Sequence, residues 1–225
     1  MSTNNPHTPP ALRPKLVEAP IAPRVRLHTP GNERRAAIML LIATVAWGFS
    51  FVWVKEAVAA LNHAAQLPSG AMFGPALLMS LRFAVAAILW FILFRRARTG
   101  WTRSTHLRAM LLGILLAMGL LIQTIGLDLT TEAVSAFLTS LAVLFVPLLV
   151  AIIYRSLPSS MLVIAIALAG CGVYLLTGAS LGSMGYGEWM GVACSVVFSL
   201  HLLALNRLSA GDTPWRLAAG QFAWV

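Results

Sequence analysis

Acidic residues and cysteines are scarce in this 225-residue chain, and charge of either sign is rare. Only 7 residues are Asp or Glu against 16 Lys or Arg, and charged residues make up 10% of the total. A soluble domain carries about 25% charged residues. With 59% hydrophobic residues, the chain cannot cover itself with polar surface and must be solvated by lipid. The two cysteines, Cys171 and Cys194, both lie in apolar stretches. They read as small buried hydrophobes, which excludes a disulfide framework, and no CxxC or His/Cys cluster suggests a metal site. Also missing are a nucleophile elbow, an HExxH and a P-loop, so neither an enzyme nor a self-contained ATP-driven pump is expected, and no cofactor. The net charge of +9 does not point to nucleic acid, because the bases are spread over a tail and alternate loops instead of forming one patch.

What is present is a rhythm of apolar stretches, each near the roughly 20 residues that a bilayer core requires of a helix. Seven segments are expected: about Ala36–Leu61, Pro75–Phe94, Leu107–Leu127, Ala133–Tyr154, Met161–Thr177 and Trp189–Leu208, with a seventh starting near Trp215. Barrel strands would alternate apolar and polar residues in shorter runs. Leu141–Ile153 is nearly continuous apolar, so the expected class is all-α, a polytopic membrane helix bundle. Residues 1–35, rich in Pro, Arg, Asn and Thr, read as a disordered cytoplasmic tail. The first apolar stretch should act as an uncleaved anchor. The run that ends at Val225 stops within a helix, which leaves carbonyls unpaired in lipid, so the sequence reads as part of something longer.

The loops give the orientation. The tail carries Arg13, Lys15, Arg24, Arg26, Arg34 and Arg35, and the loop Asn62–Gly74 has no base. Arg95, Arg96, Arg98, Arg103 and Arg108 follow segment 2, Arg155 follows segment 4, and Arg207 and Arg216 flank the loop after segment 6. The gaps after segments 3 and 5 have none. By the positive-inside rule the tail and every basic loop are cytoplasmic, in a multi-pass protein of the cell membrane.

Small residues recur every four positions at Gly191, Ser195 and Ser199, at Gly113 and Ala117, and at Ala165 and Ala169, the spacing of close helix packing. Pro147 should bend segment 4. Several polar residues lie where lipid makes them expensive. Lys55 and Glu56 are in the outer third of segment 1, and being adjacent they point apart. Arg82 is two turns into segment 2, with Glu56 its expected partner. Gln123 is near the outer end of segment 3, His201 is mid-way along segment 6, and Trp47 is deep in segment 1. An ionisable residue in a membrane helix is a functional candidate, against the alternative that long side chains snorkel to the headgroups. His201 reads either as a titrating group or as a satisfied inter-helix hydrogen bond.

These residues form a pattern in order: Ala46-Trp47-Gly48-Phe49-Ser50-Phe51 followed by Lys55; Leu81-Arg82-Phe83; Gln123-Thr-Ile-Gly126; Ser135-Ala-Phe137-Leu-Thr139-Ser; Val146-Pro147; Gly172-Val-Tyr174-Leu-Leu-Thr-Gly178; Ser199-Leu-His201; Asn206-Arg207; and Gln221-Phe222. In this the chain resembles the EamA-like transporters of the drug/metabolite transporter superfamily, over about Arg35 to Val225. Glu188, where members commonly have Asp, and the long loop between segments 1 and 2 depart from the pattern. The resemblance implies inverted repeats of five helices, with residues 36–180 as the first repeat and 185–225 as the start of the second. It places a substrate site near mid-membrane at the repeat interface. The expected function is a secondary transporter exporting small metabolites or amino acids by alternating access. Its expected substrate-binding residues are Trp47, Lys55, Arg82, Gln123 and His201, and its proton-coupling candidates are Glu56 and His201. A membrane subunit that works only with a partner, and a nucleotide-sugar-type carrier, are the competing readings. A homodimer is left open.

Overall fold

The structure, a computed structural model, describes residues 30–155, 157–178, 184–210 and 212–225, with side chains from residue 33 onward. It is helical throughout, with no strand among the described residues. The helices are α1 (Pro30–Ala64), α2 (Phe73–Leu93), α3 (Arg103–Leu129), α4 (Glu132–Ser140), α5 (Ala142–Ile153), α6 (Ser160–Thr177), α7 (Tyr186–Leu208) and α8 (Pro214–Trp224), with a 3₁₀ turn at Arg95–Ala97. Six stretches are long and apolar enough to cross a bilayer: Glu33–Ala64, Phe73–Leu93, Arg103–Leu129, Glu132–Ile153, Ser160–Thr177 and Tyr186–Leu208. The chain is therefore the all-α polytopic membrane bundle that its composition requires, and α8 is the seventh segment.

Local chemistry sets the helix ends. The hydroxyls of Thr102, Thr131 and Ser159 accept the backbone N–H groups of Thr105, Val134 and Leu162, which caps α3, α4 and α6. Gly178 ends α6 in the left-handed conformation at φ 61°. Pro214 opens α8, where its missing N–H costs nothing.

Contacts divide the chain into two units, Met1–Thr44 and Val45–Val225. The first is described from Pro30 as the N-terminal part of α1, in which the Thr44 hydroxyl donates to the Leu40 carbonyl at 2.8 Å. Of the expected tail, residues 1–29 lie outside the described residues, and Pro30–Arg35 is helical.

The second unit is organised around α3 and α7. These two pack along each other, α8 lies on α3 and α2, α4 and α5 lie on α7, and α6 covers α4 and α5. Without water between helices, close backbone approach carries the packing, and small residues permit it. A Cβ on Gly126 would sit 2.8 Å from Met190, and one on Gly119 2.6 Å from Phe198. A Cβ on Gly191 would sit 2.8 Å from Leu138. Gly191, Ser195 and Ser199 are all buried, as their four-residue spacing predicts, and Gly113 packs under Trp224. Ala165 and Ala169 are only half-buried. Many large apolar side chains on α1, α2 and α6 face outward, where a bilayer would cover them.

Segment 4 is not one helix. It breaks at Leu141, six residues before Pro147, into α4 and α5. Hydroxyls next to the break take up carbonyls: Thr139 donates to Ser135 at 2.8 Å and Ser140 to Phe137 at 2.6 Å. The Ser199 hydroxyl of α7 shares its proton between the Ser195 carbonyl of its own helix, at 2.7 Å, and the Ala142 carbonyl, at 3.1 Å. Such back-bonding bends helices. The bend thus belongs to the Thr-Ser pair and to Ser199 as well as to the proline.

Loops sort to two ends of the second unit. The loop after α1 bonds to the C-terminal end of α3, where Asp128 accepts from Gly70 N–H at 2.6 Å and from Asn62 at 3.3 Å. At that end too, Thr130 donates to Glu188 of α7 at 2.6 Å. The basic loops gather at the other end of α3. Arg108 donates to Ala210 at 3.0 Å, Thr105 to Asp212 at 2.6 Å, and Arg216 to the Thr99 carbonyl at 2.9 Å. The 27 residues of α3 hold the two sets about 40 Å apart. The base-free loops therefore share one end and the arginine-rich loops the other.

Candidate functional site

α1, α2 and α3 surround a cavity at a depth that lipid would otherwise fill. Its cavity volume is only about 30 Å³, room for water, within about 420 Å³ of empty space that runs out into the surroundings. Trp47, Ser50, Phe51 and Val54 line it from α1, Met79, Arg82 and Phe83 from α2, and Leu120, Gln123, Thr124 and Leu127 from α3. Three of the five expected binding residues, Trp47, Arg82 and Gln123, meet here although 76 residues separate the first from the last.

The three helices supply different things. α1 offers aromatic and aliphatic surface. The α3 residues Gln123 and Thr124 are buried and already bonded: the Gln123 amide donates to the Thr139 hydroxyl at 2.9 Å, and Thr124 donates to the Leu120 carbonyl at 2.7 Å. Ser50 likewise gives its proton to the Trp47 carbonyl at 2.6 Å. The polar lining of α1 and α3 is thus fixed in place, and its hydroxyls keep lone pairs free. α2 contributes Arg82, nine residues beyond the start of its helix and so about 14 Å along it. Ser50, Val54 and Arg82 also line a second, shallower groove with Trp53, Ala57 and Leu78. Arg82 stands where the inner cavity meets that groove.

Lys55 is elsewhere. Its Nζ donates to the Thr130 carbonyl at 2.6 Å and lies 3.4 Å from Glu132 Oε1. It ties α1 to the junction of α3 and α4 at the base-free end. His201 is buried on α7, and its Nδ1–H donates to the Leu112 carbonyl of α3 at 3.1 Å, the inter-helix bond that was one of its two readings. It does not line the cavity. Glu56 is exposed and has no hydrogen-bond or ion-pair partner among the described residues. The expected Glu56–Arg82 pair is not formed. Glu56 faces away from the cavity that Arg82 lines, and the acid that α1 engages is Glu132, through Lys55.

Sequence reasoning passed over the polar node that closes the base-free end. Asn62 is 2% exposed; its Oδ1 accepts the Gly74 N–H at 2.8 Å while its amide reaches Asp128. Gly70, at φ 80°, turns the loop so that its own N–H meets the same carboxylate. The signal available was an Asn at the end of an apolar helix, next to a loop containing Pro-Ser-Gly. At the basic end, Asp212 is the matching node. Burial alone would raise its carboxyl. The Thr105 hydroxyl, the Thr213 N–H and the neighbouring Arg216 guanidinium outweigh that and hold it below the usual carboxylate range.

The described residues hold no group of three or more His, Cys, Asp or Glu placed to bind a metal ion. No protein-family model matches the chain. Nor does any solved structure. Over 186 residues, 83% of its length, the chain is 26% identical to a protein of Archaeoglobus fulgidus named as an uncharacterized transporter. It spans 54%, about half, of that relative's length.

Proposed function

We propose that this chain is part of a secondary transporter for small metabolites, of the EamA-like kind its motifs resemble, and that the cavity between α1, α2 and α3 is part of its substrate route. One observation carries the reading. A bundle of membrane-length apolar helices keeps a small cavity in which Ser50, Gln123 and Thr124 lie among apolar side chains, with Arg82 where it opens into a groove. Lipid-facing structure has no use for such a lining, and a transporter needs one. The likeness to an uncharacterized transporter supports the same function.

In this reading Trp47, Arg82 and Gln123 touch the substrate. Lys55, with Thr130 and Glu132, secures the outer end, and the Asp212 node secures the cytoplasmic end. Alternating access opens one set of ties while the other holds, with the N-terminus and the arginine-rich loops in the cytosol of a cell-membrane protein. Export, an amino acid as cargo, and the division into repeats at 36–180 and 185–225 belong to this proposal and follow from the resemblance. Glu56 and His201 are its candidates for proton coupling. Flux in proteoliposomes that ignores an imposed pH gradient would remove that role from both.

The test is counterflow in liposomes containing the purified chain, with labelled amino acids, monocarboxylates and nucleotide sugars. Saturable exchange of the small metabolites supports the proposal, and exchange of nucleotide sugars alone shifts it to that class of carrier. A second reading is a membrane subunit that transports only with a partner. No exchange by the chain alone, restored when a partner chain or a second copy is supplied, identifies that case.

A further inference from the structure

The second unit contains five acidic residues, and their partners can be accounted for one by one. Asp128 takes Gly70 and Asn62. Glu132 takes Lys55, Glu188 takes Thr130, and Asp212 takes Thr105 and Arg216. Glu56 is exposed and does not line the cavity. Arg82 is left with no hydrogen bond and no ion pair among the described residues. A guanidinium does not give up its proton, so Arg82 carries its charge well inside a membrane-length helix. Arg82 is itself exposed, and a charge there in a bilayer is stabilised by an anion that meets it or by reaching water or headgroups.

We propose that the anion is supplied by the ligand: Arg82 anchors the carboxylate of a small monoanionic compound where the α1–α2–α3 cavity opens into the neighbouring groove, whose volume is about 250 Å³. This deepens the proposed transport function and rests on it for the ligand's purpose, though not for its charge. Among the lining groups, the hydroxyls of Ser50 and Thr124 and one of the two amide N–H groups of Gln123 are already spent on protein acceptors. That leaves Arg82, with the Trp47 indole and the second Gln123 N–H, to donate to a ligand. The planar fork of a guanidinium matches a carboxylate in two parallel hydrogen bonds. Charge count favours a monoanion over a dianion. Lys55, the next base toward that end, is held by Glu132 and Thr130, and the remaining arginines of the unit lie beyond the C-terminal end of α2 or at the loops gathered there. One free positive charge balances one negative charge.

The test is equilibrium binding by the purified chain in a maltoside detergent, which contains no phosphate. Acetate, pyruvate and benzoate are each compared with the neutral amide of the same shape, and inorganic phosphate and phosphatidylglycerol are run beside them. Carboxylates should raise the unfolding temperature and titrate to saturation, while their amides do not. Arg82→Gln should weaken carboxylate binding about 10- to 100-fold, the range for losing a hydrogen-bonded charge partner. Arg82→Lys should keep part of it. The amide comparison is made on the wild-type chain and stands even if Arg82→Gln does not fold. Amides that bind as well as carboxylates, or an Arg82→Gln chain that binds carboxylates unchanged, would overturn the proposal. So would phosphate binding in preference to every carboxylate. A response to phosphatidylglycerol alone would give Arg82 to the lipid headgroup and overturn it too. Carboxylate binding without flux in liposomes would defeat only the transport reading. Flux of neutral compounds that ignores Arg82→Gln would defeat only the anion site.

Discussion

Lys55 Nζ sits between the Thr130 carbonyl, 2.6 Å away, and Glu132 Oε1, 3.4 Å away, so one ammonium both caps the end of α3 and pairs with the start of α4. The two bonds are unequal in kind. The ion pair is open to solvent, with 28% of the Lys55 side chain and 40% of the Glu132 side chain exposed, and exposed pairs contribute at most about 1 kcal/mol. A double-mutant cycle with Lys55→Met and Glu132→Gln should give a coupling energy below about 1 kcal/mol. Lys55→Met should cost more than Glu132→Gln, because it also strips the Thr130 carbonyl of its donor. Thermal unfolding in detergent measures both, and equal costs would contradict the assignment.

Asn62 should be the less dispensable residue at that end. Replacing it with Leu keeps the volume and leaves the buried Gly74 N–H without an acceptor. An orphaned buried donor costs about 1–3 kcal/mol. Asn62→Asp keeps an acceptor for Gly74 but places a second carboxylate against Asp128, and it should be destabilising as well. A variant series ordered Asn above Leu and Asp in unfolding temperature is the expected result.

Much of this molecule was legible because lipid permits few solutions. The length of each apolar run fixes a helix, and the alternation of arginines places Asn62–Gly74 and Arg95–His106 at opposite ends, where the structure has them. The cavity was partly legible: a Trp, an Arg and a Gln at unfavourable depths are each conspicuous alone, and three helices bring them together. Pairings were not. Which acid meets which base depends on helix rotation and on long-range packing. Lys55 therefore finds Glu132, 77 positions away, while adjacent Glu56 turns outward, and Arg82 loses the partner expected for it. The break at Leu141 was hidden for a related reason. A proline marks a bend, but the hydroxyls that place it, those of Thr139, Ser140 and Ser199, act partly from another helix.

Acid should loosen the basic end first. Asp212 is 4% exposed and ionises more readily in the folded chain than in the unfolded one. Its contribution is whole above the ordinary carboxylate pKa of about 4 and fades as pH falls through the lower, folded value. Asp212→Asn should therefore be less stable than the wild type at pH 7. The gap should narrow as pH falls below about 4 and on through the lower, folded value, where Asp212 takes up a proton and becomes uncharged like the amide. Unfolding temperatures measured from pH 3 to pH 7 test this, and a gap that stays constant would assign the loss to shape instead of charge.

Close approach of α7 to α4 should fail with a single added branch. Gly191→Val places a Cβ against Leu138, with less than 3 Å available in the present packing. Overpacking of this kind costs about 1–3 kcal/mol. Ser199→Ala removes one hydroxyl shared between the Ser195 and Ala142 carbonyls and leaves the spacing intact, so it should cost less, about 1 kcal/mol. Denaturation midpoints that rank Ser199→Ala below Gly191→Val would mean that hydrogen bonding, and not spacing, holds α7 in place.

Opposite ends of α3 should also be opposite sides of the membrane. With Cys171 and Cys194 replaced by Ala, a single cysteine at Ser69 or at Thr99, both exposed loop positions, reports its compartment through a membrane-impermeant thiol reagent. If the guanidinium-rich loops are cytosolic, as the positive-inside rule expects, Ser69→Cys should react in intact cells and Thr99→Cys only after the membrane is opened. The separation of about 40 Å along α3 leaves no tilt that would bring both to one face. Labelling of both sites from the outside would be incompatible with α3 as a span and would remove the cavity from the membrane interior. Labelling of Thr99→Cys alone would keep every contact described and invert the chain, so that the mouth guarded by Arg82 would open toward the cytosol.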